Sequence, residues 1–222
     1  MTASGTGQAS AQAPGARLVL ATHNEKKIDE LRAILTPLLP DLSAEVVVGA
    51  RAFGVPEPVE DGVTFAANAL IKARALAAAT GLPAVADDSG LCVDVLGGSP
   101  GVFSARWAGR HGDDRANLEL LLAQVADVPE VHRGAHFACA AALVTPAGEE
   151  FVVEGAMPGR LLTAPRGAGG FGYDPILQPD EQPADGEPRS AAELSPEEKN
   201  AISHRGKAFR EIAPHVARVL GR

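Results

Sequence analysis

Pro83-Ala-Val-Ala-Asp-Asp-Ser-Gly-Leu91 decides how this chain folds: a short apolar run stops at two adjacent acidic residues, with Ser and Gly behind them. Such a run, bounded by turn residues, predicts a buried strand with its polar residues at the carboxyl end. Side chains alternate along a strand, so Asp87 and Asp88 converge on one ligand only if the strand ends there and the backbone turns, which Ser89 and Gly90 permit. That geometry allows a metal site at the strand's carboxyl end. The competing structural reading is an Asx-turn, one aspartate holding its own backbone and the other solvated.

Working back towards the N-terminus, Thr64 predicts the cap of a helix in which Phe65, Ala69, Leu70, Ala73, Leu76 and Ala77 recur at helical spacing up to Gly81. Lys72 stands near its middle. Residues 49 to 62, with Pro56, Glu57, Pro58, Glu60, Asp61 and Gly62, predict an acidic loop, and Glu45 to Val48 a strand. The first strand, Arg17-Leu-Val-Leu-Ala21, runs into Thr22, His23 and Asn24 and then a helix with Ile28, Leu31, Ile34 and Leu35 on one face. A strand, a polar turn and a helix start make an anion site: the unpaired N–H groups and the dipole favour phosphate, and Lys26 or Lys27 adds charge. The structural alternative is a helix capped by Thr22 or Asn24 with its lysines in solvent. A Gly-rich P-loop is missing, which excludes the Walker arrangement. Residues 1 to 16 hold almost no bulky apolar side chains, so they predict a disordered tail ahead of one domain over 17 to 222.

Working forward, Leu91 to Val95 continues as extended chain and Gly97 to Gly101 is a loop. Asp113 or Asp114 caps a helix carrying Leu118, Leu121, Leu122 and Val125. His136 to Val144 and Glu150 to Glu154 are strands joined at Pro146-Ala-Gly148, and this antiparallel hairpin makes the sheet mixed. Gly155 to Gly172 reads as loop leading to Phe171-Gly-Tyr-Asp-Pro175, and residues 178 to 190 as a flexible surface excursion. Ser195-Pro-Glu-Glu is a capping-box helix start with Lys199 beside it; Ser203-His-Arg-Gly206 interrupts before a last amphipathic helix. The expected fold is α/β, a long mixed, twisted β-sheet flanked by helices, with two lobes and a central cleft.

A formal charge of −8 argues against nucleic acid or an acidic membrane as partner, so an anionic ligand must meet a local basic pocket. Cys92 and Cys139 lie in strand-like runs without metal-binding spacing, which predicts core thiols and suits a reducing compartment. No apolar stretch approaches the roughly 18 residues of a membrane span, and residues 1 to 16 lack the pattern of a signal peptide. The expected location is cytoplasmic.

Five separated motifs, Thr22 to Lys27, Thr64 to Lys72, Ala86 to Leu91 with Pro100 to Arg106, Phe171 to Pro175, and Lys199 with Ser203 to Gly206, resemble the inosine triphosphate pyrophosphatase family. The resemblance implies hydrolysis of non-canonical purine nucleoside triphosphates (ITP, dITP, XTP) to the monophosphate and pyrophosphate. It implies that Thr22, His23, Asn24, Glu25, Lys26 and Lys27 cradle the triphosphate, with Lys72 and Lys199 adding charge. It implies Mg²⁺ on Glu60, preferred to Glu57, and on Asp87 and Asp88, with Asp88 as the base that orients or deprotonates the water. Phe171, Gly172, Tyr173 and Asp174 would form the base pocket, and Ser89, His204 and Arg205 would complete the nucleotide contacts. The family also implies a homodimer. Chemically the set suits in-line attack of water on a phosphoryl group, the lysines neutralising charge while a carboxylate places the nucleophile. Rival readings are a pyrophosphatase for modified pyrimidine or methylated nucleotides and a non-catalytic nucleotide-binding module.

Overall fold

The strands are β1 (Leu18–Leu20), β2 (Val47–Gly49), β3 (Ala84–Val93), β4 (Gly134–Val144), β5 (Glu150–Leu161) and β6 (Leu177–Pro179). The helices are α1, of which residues 28 and 31–35 are described, α2 (Phe65–Thr80), α3 (Asp114–Gln124), α4 (Pro196–Ile202) and α5 (His204–Val219). In this computed structural model, which describes residues 15–22, 28, 31–35, 46–182 and 186–221, the strands form one six-stranded sheet in the order β2-β1-β3-β4-β5-β6. β1 is parallel to both its neighbours and the remaining pairs are antiparallel, so the sheet is mixed. The chain leaves β1 through α1 to β2 on one side and returns through α2 to β3 on the other. That reversal is the topological switch point at which open α/β sheets hold ligands, outside the carboxyl ends of the strands.

β3 is the element that differs most from its expected form. It pairs with β4 without a break from Ala84 to Val93, so the backbone does not turn after Asp88, and Asp87 and Asp88 point to opposite faces. Gly90 has another duty. A Cβ there would lie 2.5 Å from the Gly101 carbonyl oxygen, so this glycine admits the 3₁₀ turn Gly101–Arg106 against the strand. β3 meets β1 only at Ala84 and Val85. From Ala86 to Leu91 its β1-side edge carries no strand partner among the described residues, and the switch point opens there.

Alternation along β3 builds three cores. Ala84 and Ala86 pack with Ala69, Ala73, Leu76 and Ala77 of α2. On the opposite face Val85 packs with Phe209, Ile212 and Val216 of α5, while Leu91 and Val93 join Leu118 and Leu121 of α3. Between those two clusters, on the same face, stand Asp87 and Ser89. The polar gap between two hydrophobic units is thus written into the odd-numbered positions of one strand.

Thr64 caps α2 by accepting from Ala67 N, and Gly81 closes it in the left-handed conformation, as expected. Ser195 forms the full capping box at α4. β5 continues to Leu161, although 155 to 172 reads as loop. The glycines that suggest a loop serve close approach: a Cβ at Gly155 would lie 2.7 Å from Ala208 N on α5, and one at Gly159 3.0 Å from the Pro179 Cα on β6. The expected excursion at 178–190 likewise begins as strand, and Gln182 Nε2 donates to Pro179 O and Arg189 O, tying its two ends. Residues 183–185 lie outside the described residues, as does the expected tail except for residues 15 and 16.

Candidate active site

The site is assembled from the two faces of β3. On the α2 face Asp88 accepts from Asn68 Nδ2 through Oδ2 at 3.0 Å and from Ser89 N through Oδ1 at 3.0 Å. Lys72, one turn beyond Asn68, brings Nζ to 3.7 Å from Asp88 Oδ1 and 3.2 Å from Glu60 Oε1. The acidic loop and the strand therefore meet through one ammonium group. Burial pulls the Lys72 pKa down, but Asp88, Asp87 and Glu60 together outweigh it and raise the pKa above its ordinary 10.5. Lys72 is therefore a permanent cation between two carboxylates. A pocket beside it is lined by Ala21, Val55, Glu57, Lys72 and Leu76.

On the opposite face Arg205 Nε donates to Asp87 Oδ2 at 3.0 Å, and Arg205 Nη2 donates to Ser89 Oγ at 2.8 Å. The Asp87 and Arg205 side chains are 2% and 3% exposed, so the pair is desolvated. Ser203 ends α4, and by accepting from Gly206 N it also starts α5, which puts His204 and Arg205 in that helix's first turn. His204 stacks on Phe137, with ring centroids 5.0 Å apart.

Phe171 links this face to α4. Lys199 Nζ and Arg205 Cζ each lie 5.2 Å from its ring centroid, within cation–π range. Asp174 Oδ2 accepts from Lys199 Nζ at 2.6 Å and from Phe171 N at 2.8 Å. Lys199 is thus engaged at the Phe171 turn, whereas the resemblance put it beside the triphosphate with Lys72. Gly172 N donates to Asp114 Oδ2 on α3. Tyr173 is buried in the α3 cluster, and its hydroxyl donates to Ser104 O at 2.9 Å. Burial, with Asp114 adding to it, pushes this phenol well above its ordinary pKa, so it stays a donor. Within this motif Phe171 and Asp174 face the cations, while Gly172 and Tyr173 hold the turn in place.

Asp87 and Asp88, expected on one metal after a turn in the backbone, stand on opposite faces of an unbroken strand, and Arg205 pairs with Asp87. Glu60 and Asp88 remain together. Among the described residues no group of three His, Cys, Asp or Glu side chains gathers for a metal. Thr22 ends its backbone path at the switch point, its N–H donating to Leu20 O. His23, Asn24, Glu25, Lys26 and Lys27 lie outside the described residues. Asn68 escaped the sequence reading; the available signal was an amide one turn before Lys72 on a helix whose neighbouring positions are alanine and leucine.

The Ham1 family profile matches residues 18–215. A dITP/XTP pyrophosphatase of Streptomyces avermitilis is 66% identical over 208 residues, covering 92% of this chain and 99% of the relative. The dITP/XTP pyrophosphatase of Leifsonia xyli subsp. xyli is 57% identical over 206 residues, 93% of this chain and 98% of its own. Among solved structures, a HAM1 protein from Coxiella burnetii aligns with a TM-score of 0.79 at 39% identity, covering 91% of this chain and 99% of that one. A nucleoside-triphosphatase / dITP/XTP pyrophosphatase from Mycobacterium abscessus aligns at 0.70 and 51% identity, covering 89% and 98%.

Proposed function

The chain belongs to the Ham1 family, and from that premise we propose that it hydrolyses non-canonical purine nucleoside triphosphates, dITP, ITP and XTP, to the monophosphate and pyrophosphate. Its relatives' activity as dITP/XTP pyrophosphatases supports the substrate class. The observation that carries the chemistry is Asp88: a carboxylate held by two N–H donors, beside a permanent cation and a second carboxylate, at the open edge of the switch point. Asp88 orients or deprotonates the attacking water, and Lys72 offsets the phosphate charge. Thr22, at the carboxyl end of β1, cradles the triphosphate, and the family resemblance supports the same role for residues 23–27.

The donor set fits Mg²⁺. Glu60 and Asp88 present hard carboxylate oxygens that already share one cation, the Lys72 ammonium, and Mg²⁺ is commonly held by one or two carboxylates together with substrate phosphates. When bound it would neutralise charge on the phosphoryl oxygens. In this proposal Asp87 is not a ligand. The base lies towards Phe171, Lys199, His204 and Arg205, where donors suit the 6-oxo group of inosine and xanthosine.

We extend the proposal to one catalytic unit over 17–222 acting as a cytoplasmic homodimer, on the family resemblance. The charge of −8 supports the absence of nucleic-acid partners. Among the described residues no helix is long and apolar enough to cross a membrane.

Product analysis with ITP and Mg²⁺ tests the reaction. The expected products are IMP and pyrophosphate in equal amounts, and release of orthophosphate in their place would overturn it.

A further inference from the structure

Asn68 is 2% exposed on the sheet-facing side of α2. Its Nδ2 donates to Asp88, while its Oδ1 has no hydrogen-bond partner among the described residues. A buried amide with an unused acceptor is unfavourable, and a leucine here would fill similar space without that penalty. Packing alone therefore does not account for this side chain. The atom it uses is the one that faces Asp88.

The unused oxygen lies against the acidic loop. A Cβ at Gly62 would stand 2.5 Å from Asn68 Oδ1 and 2.8 Å from the Ala67 Cβ, so only glycine lets the loop close over the amide. Glu60 stands just before that glycine. Asn68 is thus wedged between the segment carrying Glu60 and the strand carrying Asp88. Lys72 leaves the same side of the helix one turn later and touches both carboxylates. With Oδ2 held by Asn68, the Asp88 carboxylate cannot rotate without breaking that bond. Its Oδ1 is then fixed on the side of Ser89 N and Lys72.

We propose that Asn68 is a positioning residue for the reaction: it locks the orientation of the Asp88 carboxylate, and Gly62 is the residue that admits it. The proposal rests on the reading of Asp88 as the group that serves the water.

The test uses the full chain with four substitutions. Asn68→Leu keeps volume and removes the donor; Asn68→His returns an N–H near the amide position; Gly62→Ala displaces the amide without changing its chemistry; Asp88→Asn is the control. With ITP, Asn68→Leu should lower kcat about 10- to 100-fold, the usual effect of removing a group that orients a site carboxylate, with KM within about threefold. Its melting temperature without Mg²⁺ should stay close to wild type, since the bond lost to the partly exposed Asp88 is offset by removal of an unsatisfied buried acceptor. Asn68→His should recover part of kcat, and Gly62→Ala should lower it in the same direction. An Asn68→Leu enzyme within threefold of wild-type kcat, beside an inactive Asp88→Asn, overturns the positioning role and leaves the Asp88 reading standing. A loss of kcat matched by a lower melting temperature and no rescue by His makes Asn68 merely structural and also overturns it. An active Asp88→Asn overturns the reading beneath it.

Discussion

Two neighbouring aspartates carry different burdens, and substitution should separate them. Asp88 is partly exposed and sits beside Lys72 and Glu60. Asp88→Asn keeps its shape and removes the charge, so turnover should fall by about 10²-fold or more while chemical denaturation is nearly unchanged. Asp87 is buried against Arg205. Removing one member of a buried ion pair strands the other charge, so Asp87→Ala should cost about 3–5 kcal/mol in urea unfolding. Equal stability losses for Asp87→Ala and Asp88→Asn would show that the two carboxylates are not divided between faces. The residue types of the site were legible in the sequence because carboxylates, lysines and an aromatic turn stand in separated motifs. Which way each one points was not. The sequence allowed a turn at Ser89-Gly90, and only the contact between Gly90 and the Gly101 backbone shows why glycine is needed there in an extended strand.

Elements decide whether those residues meet. The α2 cap is a local feature: Thr64→Ala loses one hydrogen bond to Ala67 N and should cost about 1 kcal/mol, seen as a lower melting temperature. The contact between β5 and α5 is long-range, and it was the part of the fold least visible beforehand. Gly155, Pro158 and Gly159 read as loop residues by composition, yet they lie in a strand, and at the two glycines neighbouring backbone leaves no room for a side chain. Gly155 meets the His204 carbonyl oxygen and Ala208 N, so a Cβ there pushes on the helix that carries His204 and Arg205. Gly155→Val should therefore lower the melting temperature and also the preference for ITP over ATP. A stability loss with the preference intact would show that α5 shifts without disturbing the base contacts. Caps and helical spacing were readable because they are set by residues near in sequence. Strand ends set by partners distant along the chain were not.

At the scale of the molecule, the switch point and the polar gap between the α5 and α3 clusters put the groups proposed to face the phosphates and those proposed to face the base on either side of one strand. Adenine offers a 6-amino donor where inosine and xanthosine offer an acceptor, so donors from Arg205 and its neighbours face a donor when ATP enters. Mismatches of this kind can reject an analogue by several powers of ten, and kcat/KM for ITP and XTP should exceed that for ATP at least about 100-fold. Equal efficiencies in a steady-state comparison would remove the base from the Phe171 side. The unbroken pairing of β3 has one more outcome: the strand has a parity. Deleting Ala86 would move Asp88 to the arginine side and put Ser89 beside Lys72. It would also bring Leu91 into the slot where the Gly101 carbonyl tolerates only a hydrogen. An insertion before Asp87 would press Ser89 into that same slot. Gly90 thus acts as a length gauge, and upstream of it this site can vary by exchange of residues but not by gain or loss of one.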